Sequence, residues 1–264
     1  MSRPDMPEVT VFSSGKGGVG KTTVVANLAV ALARQARKVM VVDADFGLAN
    51  LDVALGLSPE RTLEHVFAGH CALSEITVSG PEGITLVPAG SGLQEMTALP
   101  PHVLAGLMGA LTDLASGYDD LIIDSAAGIS ENVLGLFPQA HRLVVVVSPD
   151  PASLVDAYAT IKLAQARGFS RRISVLVNGG ADARESREIY ARLRRVTHRF
   201  LGLRPDLLGP IPKDRAVELA LRSQRLVLEA YPTSPASLAF GRLAHQFNPA
   251  VHSMVVVPET ASVQ

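Results

Sequence analysis

The chain of 264 residues contains one cysteine, Cys71, so it cannot form an intramolecular disulfide. No ligand-type neighbours stand near it at metal-binding spacing, and it reads as a small hydrophobe in a chain suited to a reducing compartment. Neither sign of charge is in excess. Lys and Arg number 24 against 25 Asp and Glu, a net charge of −1, which excludes a global polybasic signature for nucleic acid or anionic membrane. No apolar run reaches the ~20 residues that cross a bilayer. The opening MSRPDMPEVTVF lacks the apolar centre of a secretory signal. Repeats, linkers and low-complexity stretches are missing too. What is present suits a packed core: 47% hydrophobic and 19% charged residues, in a chain long enough to bury one. The expected location is the cytosol, with any membrane contact weak and peripheral.

Short apolar runs alternate with longer helical patterns. The spacing predicts strands at 8–12, 38–43, 84–88, 119–124, 142–148, 172–178 and 207–211. Helices are expected at 21–35, 101–116, 131–139, 152–167, 184–203, 214–222 and 235–247. Near-continuous Val, Ile and Leu in the strands marks burial on both faces. This alternation predicts an α/β fold with a mostly parallel central β-sheet flanked by helices on both faces. We expect one domain over 8–247, a short N-terminal extension over 1–7 and a tail over 248–264 with few packing signals. In such sheets ligands gather beyond the carboxyl ends of the strands, here just after Phe12, Val42, Ile123 and Val177.

The residues at those places carry chemistry. After Val11 and Phe12 come Gly15, Lys16, Gly17, Gly18, Val19, Gly20, Lys21, Thr22 and Thr23, which fit G-x-x-x-x-G-K-[ST] between a strand and a helix. The glycines let backbone N–H groups turn toward phosphates, and the helix start adds its positive dipole end. Lys21 is expected at the β- and γ-phosphates and the Thr22 hydroxyl on Mg²⁺. Asp43 and Asp45 follow the second strand; capping or turn stabilisation is the alternative reading for both. Asp119-Asp120-Leu121-Ile122-Ile123-Asp124 has the apolar-run-then-Asp form of a Walker B strand, which assigns Asp124 to Mg²⁺ through water; a structural ion pair is the alternative.

The pattern does not require Lys16. With it, KGGVGKT resembles the deviant Walker A family, the MinD/ParA class of P-loop ATPases in the SIMIBI group. That resemblance implies an ATP-dependent homodimer in which Lys16 reaches the partner's nucleotide. It also implies that Asp45 orients the attacking water, that Asp43 supports the Mg²⁺ shell, and that the Gly128 N–H in Ser125-Ala126-Ala127-Gly128 senses the γ-phosphate. Asn178 would contact adenine, with Pro212 in a second base-contacting loop; a turn role is the alternative for Asn178. The implied catalytic set is Lys16, Lys21, Asp45 and Asp124, with ATP and Mg²⁺ as cofactors.

Several longer strings resemble the flagellar-number regulators of the FleN/FlhG group: ADFGLANLDVALGL, RTLEHVFAGHCALSEI, LVPAGSGLQEM, PDPASLVDAYATIKL and SPASLAFGRLA. This implies negative regulation of flagellar biosynthesis, through a flagellar transcription activator or a flagellar placement GTPase, near the inner membrane or a cell pole. The DQA-type motif of many members is not expected, since the first strand starts about seven residues in. Helix 235–247 reads as core rather than membrane anchor, and VHSMVVVPETASVQ has no lysine or arginine to support an interfacial helix. The alternative function is a DNA-partitioning or cargo-positioning ATPase using Arg192, Arg195 and Arg199 on one helix face. DNA is not the expected partner, because a solvated face explains those arginines as well.

Overall fold

The computed structural model describes residues 6–90 and 99–247. The string LVPAGSGLQEM is partly outside these residues, and the expectations for residues 1–5 and the tail lie wholly outside them.

Eight strands form one sheet: β1 (Glu8–Ser14), β2 (Val39–Ala44), β3 (Val78–Ser79), β4 (Thr85–Val87), β5 (Asp120–Ala127), β6 (Arg142–Val147), β7 (Arg172–Gly180) and β8 (Asp206–Pro212). Their order is β3-β4-β2-β5-β1-β6-β7-β8. Every pairing is parallel except β3 with β4. The helices are α1 (Lys21–Ala33), α2 (Leu51–Ala54), α3 (Leu63–Phe67), α4 (Pro101–Leu114), α5 (Glu131–Leu136), α6 (Pro151–Ala166), α7 (Ala183–Leu201), α8 (Arg215–Arg222), α9 (Val227–Ala230) and α10 (Pro235–Gln246).

The period-2 side-chain alternation of a strand divides the core into two layers. Val9 and Val11 of β1 face one layer with Met108 of α4 and Ala157 of α6, while Phe12 faces the other with Leu28 of α1 and Phe240 of α10. Helices therefore cover both faces of the sheet. At roughly 1.5–3 kcal/mol per fully buried large apolar side chain, these layers are the main favourable term. Helix α10 turns Ala236, Ala239, Phe240, Leu243 and Ala244 into the protein, so its apolar stripe is core.

Three details differ from the sequence expectation. Strand β3 and the short helices α2, α3 and α9 were not anticipated, because runs of two to five residues carry too little periodicity to read. The helix expected over 131–139 ends at Leu136 and continues as a 3₁₀ turn through Gln139, since Pro138 cannot donate the next helical bond. Strands β1, β5 and β7 run two or three residues further than their apolar stretches. Ser13 still pairs with Val145, and Ser14 with Ala127 across a bulge.

Candidate functional site

The loop 15–20 leaves β1 at its carboxyl end and enters α1. Gly18 and Gly20 take the left-handed conformation, with φ of 80° and 82°. Gly20 is the N-cap of α1 and has no side chain to satisfy the first turn. The first N–H groups of α1 thus point into the loop as free donors, the arrangement that binds phosphate. A Cβ on Gly20 would lie 2.5 Å from the Asn178 Nδ2, so the loop fits only with glycine there.

Lys21 starts α1 yet has a side chain only 7% exposed, and its ammonium is ion-paired with Asp124 of β5. Burial pushes the Asp124 carboxyl up; Lys21 and the Thr22 hydroxyl oppose that, and the Asp45 charge adds to it. Asp43 of β2 sits beside Asp124 in the sheet register. Burial first, and the Asp124 charge second, push the Asp43 carboxyl up to about 7. Its oxygens accept from the backbone N–H groups of Asp45, Asn50 and Leu51, each at 3.0 Å. Asp43 therefore ties the chain after β2 back to the strand end. Asp45 is half-buried, leaves the strand direction, and accepts from the Leu48 N–H at 3.1 Å.

The remaining residues singled out in the sequence converge on the same edge of the sheet. The Gly128 N–H donates to the Ser14 carbonyl at 2.8 Å, which couples the end of β5 to the start of the phosphate loop. The Asn178 amide donates to the Val19 carbonyl at 2.7 Å and braces the loop from β7. Pro212 closes β8 beside Gly180, and the Lys213 N–H donates to the Gly180 carbonyl at 2.8 Å. Lys16 is ion-paired with Asp150, the N-cap of α6. Asp150, and Asp156 of α6, whose backbone packs against Gly15, lie at this site and were not singled out from sequence. The string containing them was noticed only for its resemblance, because nothing local marks an aspartate that will meet a loop more than a hundred residues earlier.

The residues present fit a magnesium–nucleotide complex. Three carboxylates, Asp43, Asp45 and Asp124, crowd one edge with Lys21 as the facing cation, so a divalent ion would relieve their repulsion. The Thr22 hydroxyl beside Asp124 supplies the hard oxygen donor such an ion takes. The glycine cradle offers room and N–H donors for phosphates. A parallel sheet with this loop between its central strand and first helix defines a P-loop nucleotide-binding protein.

Comparison with known proteins narrows that class. The family model described as CobQ/CobB/MinD/ParA nucleotide binding domain matches residues 10–227, and the chain belongs to that family. The chain is 45% identical over 239 residues to the antiactivator FleN of Pseudomonas aeruginosa, covering 90% of this chain and 85% of that one. It is 30% identical over 234 residues to the flagellum site-determining protein YlxH of Helicobacter pylori, covering 88% of this chain and 79% of that one. In fold it matches the septum site-determining protein MinD of Pyrococcus horikoshii, complexed with Mg-ADP. That match has a TM-score of 0.77 and 24% identity, over 96% of this chain and 100% of the other. The resemblance to MinD/ParA proteins and to the flagellar regulators is thus shown at whole-chain scale.

Proposed function

We propose that this protein is an ATP-hydrolysing, dimerising switch that restrains flagellar number. The observation carrying the proposal is the 45% identity to the antiactivator FleN over 90% of the chain, together with an intact phosphate loop. The partner consistent with that relative is a flagellar transcription activator; a placement GTPase is the second partner of the same pathway class.

The family resemblance implies the following roles, and the geometry is consistent with them. The loop N–H groups from Gly15 to Thr23 bind the triphosphate, and Lys21 trades its bond to Asp124 for the β- and γ-phosphates. Bound Mg²⁺ would neutralise phosphate charge, held by Thr22 with Asp124 and Asp43 behind it. Asp45 orients the attacking water from the loop that Asp43 anchors. The Gly128 N–H, on exchanging the Ser14 carbonyl for the γ-phosphate, transmits occupancy to the segment after β5. Asn178 and Pro212 border the base. Lys16 leaves Asp150 and reaches the nucleotide of a second copy.

Exposed apolar side chains at this end support an interface. Leu48 is 76% exposed, Ile129 47% and Val155 68%, and they flank the loops that carry Asp45, Gly128 and Asp150. Burying such residues favours association once the phosphates and Lys16 balance charge across the dimer. Among the described residues no helix is long and apolar enough to cross a membrane.

The test is deletion of the gene in its native host, with complementation by the wild type or by Lys21→Ala. Extra flagella on deletion, restored to normal by the wild type and not by the variant, is the expected result. Unchanged flagellar number would refute the proposal.

A further inference from the structure

A second cationic site lies at the opposite end of the sheet from the phosphate loop. Tyr190, Arg194, Arg195 and His198 of α7 and Arg204, just before β8, line an open cleft of about 440 Å³. Arg204 precedes the amino end of β8, whereas the phosphate loop follows the carboxyl end of β1, so a strand length of roughly 20 Å separates the two levels.

The charge here is uncompensated. No Asp or Glu occurs between Glu188 and Asp206 in a chain whose net charge is −1. Asp206 is engaged by Arg172 at 3.0 Å. Among the described residues, Arg194, Arg195 and Arg204 make no ion pair with any carboxylate, as is true of several other surface arginines; what sets these three apart is that they line one cleft. The cleft is also organised. The Arg204 guanidinium donates to His198 Nε2 at 3.0 Å, and the Tyr190 hydroxyl donates to the Pro205 carbonyl at 2.9 Å. These contacts hold Arg204 and the phenol ring at the cleft rather than leaving them to splay into solvent. Guanidinium groups that share a concavity repel one another, and an anion with several oxygens removes the repulsion while taking their N–H donors in forked geometry.

We propose that this cleft binds a small, soluble phosphate-bearing ligand, distinct from the nucleotide at the phosphate loop. Carboxylates match the guanidinium fork as well, but a phosphate group offers more charge and more acceptor oxygens to three converging arginines. The concave form and a volume within the range of small-molecule pockets favour a discrete molecule over a lipid surface. This inference does not depend on the flagellar reading.

The experiment uses the full chain, with the phosphate loop first saturated with Mg-ADP, and titrates inorganic pyrophosphate by calorimetry at low salt. One further site is expected, its affinity falling by about tenfold or more in Arg194→Gln/Arg204→Gln, with ADP affinity and melting temperature retained. Absence of a further site, or equal affinity in the double variant, overturns the proposal. A parallel arm measures sedimentation with phosphatidylglycerol vesicles. Vesicle binding that needs these arginines, without pyrophosphate binding, likewise overturns it in favour of a lipid surface. If ADP itself does not bind, the nucleotide reading fails separately, and the cleft is still judged by the difference between wild type and variant.

Discussion

Lys16 and Asp150 form an ion pair that closes the phosphate loop onto the start of α6 within one subunit. The same ammonium cannot serve Asp150 and a second subunit's nucleotide together. In the proposed dimer the intramolecular pair would therefore compete with the contact across the interface. Asp150→Ala is expected to lower the ATP concentration at which dimers form, with nucleotide affinity of the monomer unchanged. Lys16→Ala should bind nucleotide and stay monomeric. Sedimentation velocity across an ATP series checks both, and normal dimerisation of Lys16→Ala would remove Lys16 from the interface.

Removing one partner of the buried Lys21–Asp124 pair leaves a charge without compensation. Lys21→Ala should lose nucleotide binding and also destabilise the nucleotide-free fold, by about 3–5 kcal/mol. Lys21→Ala/Asp124→Asn should recover much of that stability without recovering ATP hydrolysis. Denaturant melts of the two variants separate the contributions; equal stability of both would show that the charge is solvated.

Gly20→Ala meets two obstacles, the left-handed φ of 82° and the Asn178 amide 2.5 Å from the new Cβ. Nucleotide affinity should drop by more than a hundredfold. Adding Asn178→Ala removes the clash but keeps the backbone strain, roughly 1–2 kcal/mol, and loses the bond that braces Val19, so affinity should return only in part. Fluorescent nucleotide titration gives the three values. Full recovery in the double variant would mean that strain contributes nothing.

Asp43 is expected to make the nucleotide-free fold sensitive to pH. Its carboxyl is raised from 3.8 to about 7 by burial and by Asp124. Well below pH 3.8, folded and unfolded chains both hold the proton. As pH rises toward 7 the unfolded chain releases it first, so this stabilisation is lost across that window, up to about 4 kcal/mol. Asp43→Asn carries no such charge and should show a flatter stability profile between pH 4 and 7, below the wild type at the acid end because one amide oxygen replaces two acceptors for three N–H groups. Urea melts over that range test it; parallel profiles would assign the pH dependence elsewhere.

Asp45→Ala should bind ATP normally and reduce turnover by about a hundredfold, leaving the dimer long-lived. A phosphate-release assay beside gel filtration would show it. Turnover near wild type would mean that another group orients the water.

The sequence by itself determined the layered α/β fold, the phosphate loop and the carboxylates at the strand ends. Those features are local: the apolar runs of β1, β5 and β6, the glycine spacing, and an aspartate directly after an apolar strand. Only the tertiary structure decided what each group touches. Asp43 turned out to hold the backbone of the following loop, Asn178 to brace Val19, and Gly128 to bond Ser14. Asp150 meets Lys16 across 134 residues of chain, and the arginines of α7 meet Arg204 through a turn that no periodicity announces. The physical reason is the same in each case. Periodicity and turn chemistry are written in neighbouring residues, whereas charge pairing and hydrogen bonding depend on distances that exist only after the sheet has brought remote strands together.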